Sequence, residues 1–210
     1  MRKLILKMSI SVDGFVGGPN GEIDWLFRNM DESVTDWIVE TLCQAGVHIM
    51  GSRTFYDMAS YWPYSTEPFA APMNEIPKVV FSKKRTVEPL SKAPTTRAFK
   101  DATAAEKSLA ATSSQLASWN NARVASGDLT EEINLLKRES GKDILAHGGA
   151  SFAQSLAKSG LVDEYQLLVH PVILGAGLPL VSAVTKPVYI KLVTTSLFKS
   201  GAVAHVYRPA

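Results

Sequence analysis

Three short segments combine the residue types that hold phosphate groups: Gly148-Gly149-Ala150-Ser151, Gly51-Ser52-Arg53-Thr54 and Ser82-Lys83-Lys84-Arg85. In the first two, glycine precedes a helical pattern. Glycine lets backbone approach a ligand closely, and the first unpaired amides of the helix then point at whatever sits there. The third supplies a hydroxyl and three cations, groups that make charge-assisted bonds to a further phosphate. Two titratable residues stand out beside them. Asp31 opens the first long helical pattern and is a candidate proton donor as well as a candidate helix N-cap. His147 directly precedes the glycine pair, where an imidazole could relay a proton or simply end a strand with a satisfied hydrogen bond. Trp25 could stack on a flat ring or fill a core, and Asp13 is suited to fixing a turn through its side chain.

These residues must be positioned by strands and helices, and the hydrophobic pattern supplies them. Leu4 to Val12 reads as a central strand, broken by Asp13-Gly14 and by the Gly17 to Gly21 loop. A helix is expected from about Asp31 to Ala45, with Val34, Trp37, Ile38 and Leu42 on one face. Cys43 falls on it and reads as a buried thiol. Val47 to Met50 forms a short strand leading into a helix through Phe55 and Met58, and a proline-rich loop follows from Trp62 through Pro77. Lys78 to Ser82 is a further strand. Residues from about Lys92 to Asn121 read as a surface insertion containing a helix, with a strand near Thr96 to Phe99. Arg123 to Ala125 is a strand, and Asp128 starts a helix through Glu139 with Glu131 completing a capping box. Ile144 to Ala146 forms a strand before the glycine pair, and a helix then runs to about Gly160. Strands follow at Glu164 to His170, near Tyr189 to Ser196 and at Val203 to Tyr207. Strands alternating with helices, then consecutive strands, give an α/β fold with a mostly parallel central sheet, antiparallel C-terminal edge strands and flanking helices.

The three segments each follow a strand, and in an open α/β sheet ligands bind outside the carboxyl ends of strands. Two amide-rich turns and one cationic turn match a dinucleotide carrying a 2′-phosphate, the group that separates NADP from NAD. Composition narrows the class further. The 210 residues are 46% hydrophobic, enough for one domain over 1–210 elaborated near 92–121. A net charge of +2 with interspersed signs gives no basic stripe for nucleic acid or a membrane surface. Lys7 interrupts the N-terminal apolar run too early for a signal peptide, and no stretch approaches a membrane span, so the expected place is the cytoplasm. With one cysteine and four scattered histidines, no metal site is expected.

The ordered motifs resemble the dihydrofolate-reductase-like superfamily, specifically the reductase domain at the C-terminus of riboflavin-biosynthesis deaminase-reductases and its stand-alone relatives. The resemblance rests on Ser11-Val12-Asp13-Gly14-Phe15-Val16-Gly17, Asp24-Trp25, Met50 to Tyr56, Lys78 to Ser82, His147 to Ala150, Leu161 to Glu164 and His170 to Gly177. It spans nearly the whole chain and is poorest from about Lys92 to Asn121. It implies NADPH as cofactor. Gly51, Ser52, Arg53 and Thr54 would lie beside the pyrophosphate and adenosine ribose, and Ser82 and Lys83 at the 2′-phosphate. Gly148, Gly149, Ala150 and Ser151 would lie at the pyrophosphate, with Val16 and Gly17 bordering the nicotinamide and Trp25 on the substrate side. The superfamily often has arginine directly after the first glycine, where this chain has Ser52 and places Arg53 one residue later. Riboflavin-pathway members tend to carry an acidic residue where this chain has His147. The zinc site of the deaminase half needs more than one cysteine, so the resemblance covers the reductase type alone.

The expected function is an NADPH-dependent reduction of a small heterocyclic or carbonyl substrate. The riboflavin-pathway 5-amino-6-(5-phosphoribosylamino)uracil is the named family-level substrate, while His147 points toward another heterocycle or carbonyl. The alternatives are an NADP(H)-binding protein without turnover and a dihydrofolate reductase activity. A homodimer is expected, in part because Val169 to Leu178 is an apolar run that a monomer covers poorly.

Overall fold

A computed structural model describes residues 1–87, 111–182, 184 and 186–210. Its centre is an eight-stranded sheet built from β1 (Leu4–Ser11), β3 (Ala45–Gly51), β4 (Lys78–Phe81), β5 (Arg123–Ala125), β6 (Asp143–Ala146), β7 (Glu164–His170), β9 (Ile190–Leu197) and β10 (Val203–Pro209). The order across the sheet is β5-β4-β3-β6-β1-β7-β10-β9. All pairs from β5 to β7 are parallel, while β10 runs antiparallel to both β7 and β9. The chain is therefore the expected α/β fold, with a mostly parallel central sheet and antiparallel C-terminal edge strands.

Parallel strands covered on both faces read as nearly continuous apolar runs, and β1 (LILKMSIS) does so except at Lys7, Ser9 and Ser11. Helices α5 (Leu129–Arg138) and α6 (Ala150–Ser159) cover one face of the sheet through Ile133, Leu136, Ala153 and Leu156. The other face lies under α1 (Glu32–Cys43), α2 (Ser52–Ala59), α3 (Ala70–Glu75) and α4 (Ser113–Asn120), which contribute Val34, Ile38, Phe55, Met73 and Trp119. Gly160 ends α6 with φ at 68°, the left-handed conformation that lets a chain leave a helix without a Cβ penalty.

Several elements differ from the sequence expectation. The proline-rich stretch holds a 3-10 turn at Trp62–Tyr64 and the helix α3. Pro72 falls in the first turn of α3, where its missing N–H leaves no helical bond unmade. Two short strands, β2 (Phe15–Gly17) and β8 (Leu178–Pro179), pair as a separate ribbon. The anticipated strand at 96–99 and most of the anticipated insertion lie outside the described residues. The end of that segment is no surface appendage, because α4 carries Trp119 into the core with no exposure. Asp128 caps α5 as expected, but Glu132 rather than Glu131 reaches back, accepting from the Gly127 amide. Cys43, the last residue of α1, is exposed rather than buried.

Candidate functional site

The carboxyl ends of β4, β3 and β6 lie side by side, since Gly51 is in register with Phe81 and Ile49 with Ala146. Helix α2 leaves β3 toward one face of the sheet and α6 leaves β6 toward the other, so their N-termini open a crevice at the sheet edge. The Gly51 amide donates to the Gly148 carbonyl at 3.2 Å and ties the two turns together. The Gly148–Gly149 peptide is cis. A Cβ at Gly149 would lie 2.8 Å from Thr54 Oγ1, and one at Gly51 would touch Phe152 at 3.4 Å. The close packing of the two helix starts therefore depends on glycine at position 149, whereas a Cβ at Gly51 would make an ordinary contact.

Capping chemistry separates these two helices from α1, α4 and α5, and the short α3 likewise starts, at Phe69, without a side-chain cap. Asp31, Thr112 and Asp128 cap α1, α4 and α5 with side-chain acceptors, whereas α2 and α6 begin at Gly51 and Gly149 with no side-chain cap. The first-turn amides of Ser52 to Thr54 and of Ala150 to Phe152 are thus left to an outside acceptor, and the helix dipole favours an anionic one. Such a cradle could hold a diphosphate. Beside it, the ring of Phe81 stacks on Phe152 at 4.9 Å, which brings the end of β4 to the start of α6. Ser82 follows, its hydroxyl accepting from the Lys84 amide, and Lys83, Lys84 and Arg85 are exposed without an ion pair among the described residues. Arg53 is likewise exposed on the first turn of α2. The structure thus gathers Gly51, Ser52, Arg53, Thr54, Ser82, Lys83, Gly148, Gly149, Ala150 and Ser151 along one edge. Val16 and Gly17 sit apart on β2, and Val16 is buried in the core, so its side chain is turned away from solvent.

The face under α1 carries the remaining chemistry. Asp31 is the N-cap of α1: one carboxylate oxygen accepts from the Val34 amide and Ser33 hydroxyl, the other from the Ser200 amide. These bonds lower its pKa to about 2, with the Ser33 hydroxyl the largest cause. Asp31 therefore has no proton to give near neutral pH, and the geometry supports capping in place of the acid role. Trp25 is buried, donates to the Glu22 carbonyl and meets His170 edge-on at 5.4 Å. This is a core packing rather than an open stacking platform. Asp13 fixes a loop, although a distant one, by accepting from the Leu174 and Gly175 amides.

His147 lies in contact with a residue that sequence distance had hidden. Its ring meets that of His48 at 4.5 Å, and Nε2 has no partner among the described residues. Burial, with His48 and then Lys7 and Lys78 adding, holds the His147 pKa well below its ordinary value. Burial also pushes His48 down to about 3, with Lys78 next, while the Leu42 carbonyl opposes the shift without completing a bond of ordinary geometry. Lys7, from β1, stands over the Trp37 ring at 5.9 Å. Burial alone lowers it to about 8. On β7, Gln166 is in register with Lys7 and His170 with Ser11. Gln166 Oε1 and both nitrogens of His170 are buried without partners. Lys7, His48, Gln166 and His170 are thus site residues that the sequence reading passed over. The signal available was a polar residue at alternate positions of otherwise apolar strands. Among the described residues no group of three or more His, Cys, Asp or Glu side chains could hold a metal ion, and no helix is long and apolar enough to cross a membrane.

The RibD C-terminal domain family matches residues 2–205. The uncharacterized protein YyaP of Bacillus subtilis is 34% identical over 206 residues, covering 98% of this chain and 94% of that one. Two solved structures show the fold. The Thermotoga maritima diaminohydroxyphosphoribosylaminopyrimidine deaminase/5-amino-6-(5-phosphoribosylamino)uracil reductase superposes with a TM-score of 0.63 at 16% identity, over 100% of this chain and 57% of that one. A dihydrofolate reductase from Enterococcus faecalis, complexed with NADP(H), superposes with a TM-score of 0.58 at 10% identity, over 99% and 96% of the two chains.

Proposed function

The chain belongs to the RibD C-terminal domain family, and from that premise we propose that it is an NADPH-dependent reductase of a small heterocyclic or carbonyl compound. The observation that carries this reading is the pair of uncapped helix starts at Gly51 and Gly149, set edge to edge beside a cationic turn with no ion pair among the described residues. The amides of Ser52 to Thr54 and of Ala150 and Ser151 would hold the diphosphate. Ser82, Lys83 and Arg85 would hold the 2′-phosphate. When bound, the dihydronicotinamide supplies a hydride. The substrate belongs on the α1 face, which holds Lys7 and the polar atoms of His48, His147, Gln166 and His170 that have no partner among the described residues. Within this group Lys7 carries the proton at neutral pH, since burial holds the histidines neutral. Asp31, committed to its cap, takes no part in the chemistry.

The test is a titration of NADPH and NADH against tryptophan fluorescence, followed by a panel of reducible pyrimidines, pterins and carbonyl compounds assayed for NADPH consumption. The reading requires saturable NADPH binding, and turnover of at least one compound. Saturable binding without any turnover would leave a cofactor-binding protein, and no binding at all would remove the cofactor assignment.

We further propose a homodimer formed along β9. Ile190, Leu192, Val193 and Leu197 are 42%, 49%, 46% and 77% exposed, and Val188 and Tyr189 beside them are 54% and 78% exposed. Such a strand at a sheet edge is normally covered or charged.

A further inference from the structure

Five polar side chains from four neighbouring strands lie on the α1 face. They are His48 on β3, His147 after β6, Lys7 on β1, and Gln166 and His170 on β7. The histidine rings touch at 4.5 Å, Trp25 closes on His170 at 5.4 Å, and Lys7 lies over Trp37 at 5.9 Å. Five nitrogens and one oxygen in this group are buried without a partner among the described residues. Buried polar atoms are nearly always paired, so such a concentration marks a place where a ligand or its water completes the bonding.

The sign of the group is equally informative. Buried Lys78 on β4 adds a second amine to half-buried Lys7, and it donates to the Ile76 carbonyl and the Ser118 hydroxyl rather than to a carboxylate. The nearby carboxylates are otherwise engaged. Glu164 accepts from Arg208 and Gln166, and Asp31 accepts from amides and a hydroxyl. Glu32, Asp36 and Glu40 lie on the exposed side of α1. The buried Asp57 of α2 is not among the groups acting on either lysine. Among the described residues, no acidic acceptor therefore faces the donors of a basic, amino-substituted ring.

Resting on the reductase reading above, we infer that the group around Lys7 and His147 recognises an anionic substrate: a planar, reducible compound bearing a carboxylate or ionised imide on the edge that meets these two residues. Lys7 supplies the charge. The neutral imidazoles of His147 and His48 each supply one N–H, with a tautomer free to adjust. Trp25 and Trp37 wall the group with apolar surface, which strengthens the charge interaction by excluding water.

The test uses three ring compounds of similar size that differ in charge: orotate, uracil and 2,4-diaminopyrimidine. Binding is followed by tryptophan fluorescence with and without saturating NADP⁺. The expected result is orotate binding at least tenfold more tightly than uracil near pH 6.5, and diaminopyrimidine binding more weakly than either. Lys7 is protonated below its pKa of about 8, so the preference should be full below that value and shrink as pH rises past it. Lys7→Met should abolish the preference. His147→Glu, which sets a carboxylate beside Lys7, should invert it toward the basic ring. The wild-type comparison needs no variant, so misfolding cannot hide the answer. Equal affinities, a preference for diaminopyrimidine, or no binding of any probe by protein that still binds NADP⁺ would overturn the anionic substrate and leave the reductase reading standing. Loss of NADP⁺ binding itself would count against that reading instead.

Discussion

The imidazoles of His48 and His147 meet at 4.5 Å, nearly edge to face, although 99 positions separate them in sequence. The contact exists because β3 and β6 are adjacent and parallel, and it makes the two rings one electrostatic unit with Lys7 and Lys78. A depressed histidine pKa is a statement about stability. In the unfolded chain each histidine binds a proton below about 6.5, whereas folded His48 does so only near 3. The stabilising contribution is therefore present above about 6.5 and is lost as pH falls toward 3.

Lys7 and Lys78 extend the same slope upward, because their folded pKa values of about 8 and about 7 lie below 10.5. Stability should thus rise with pH from about 4 to about 9, in place of the usual maximum between about 5 and 8. Asp31, lowered to about 2, contributes no slope in that window. Urea unfolding across this range checks the claim, and His48→Leu should flatten the acidic limb. A flat profile in the wild-type protein between pH 4 and 6 would refute the burial of neutral histidines.

The cofactor edge rests on Gly149. Its φ is −60°, so alanine is acceptable to the backbone, and the obstacle is Thr54 Oγ1 at 2.8 Å from the new Cβ. Overpacking of this kind costs roughly 1–3 kcal/mol. Gly149→Ala should therefore lower stability and weaken NADPH. Adding Thr54→Ala should recover much of the stability loss, giving a coupling of about 1 kcal/mol or more in a double-mutant cycle. Simple additivity of the two substitutions would show that the helix starts are not packed as described.

Gly177 makes a different case. A Cβ there would sit 2.2 Å from the Gly17 carbonyl oxygen, which is backbone and has no rotamer to yield. Gly177→Ala should separate β2 from β8, costing about 2 kcal/mol or more and shifting the amide signals of Phe15 and Gly17 in NMR spectra. Unchanged signals would mean that the ribbon is not formed in solution.

Much of this was legible beforehand, for identifiable reasons. Glycine and lysine at strand ends announce themselves by type, so Gly51, Gly148, Gly149 and the Ser82 to Arg85 turn could be read without coordinates. The helix opened by Asp31 and the strand from Glu164 to His170 followed from their apolar periods. The polar group under α1 could not be assembled, because its members belong to four strands whose order β3-β6-β1-β7 is a property of the sheet and not of any local pattern. Asp31 shows the complementary limit. Its type suits both a cap and an acid, and only the Ser200 amide at 2.6 Å, from 169 residues away, shows how completely it is committed. The strands β2 and β8 were missed since three and two residues carry no measurable alternation.

Cofactor selectivity should reside in the turn after β4. Lys83 and Arg85 are exposed and unpaired among the described residues, so neither has to break an ion pair to meet a 2′-phosphate. A charge-assisted bond contributes about 1.5–3 kcal/mol, and solvent exposure puts these toward the lower value. Replacing both residues by alanine should weaken NADPH by about ten- to a hundredfold while leaving NADH nearly unchanged, as read by parallel fluorescence titrations. Equal losses for the two cofactors would show that the turn does not read the 2′-phosphate.

The assembly prediction concerns β9. Leu192 and Leu197 are 49% and 77% exposed on a strand with no neighbour beyond it among the described residues. Its unpaired backbone edge and apolar side chains suit an isologous contact, in which β9 of one copy meets β9 of another. The apolar surface on Val188 to Val193 is continuous with that edge, so a second copy would cover both together. Sedimentation at micromolar concentration should report a dimer. Leu192→Lys with Leu197→Lys should shift it to a monomer, since like charges would then face each other across the two-fold axis. Both positions are exposed, so the substitutions leave the core intact and any loss of association reports on the interface alone. A wild-type monomer at that concentration would remove the claim.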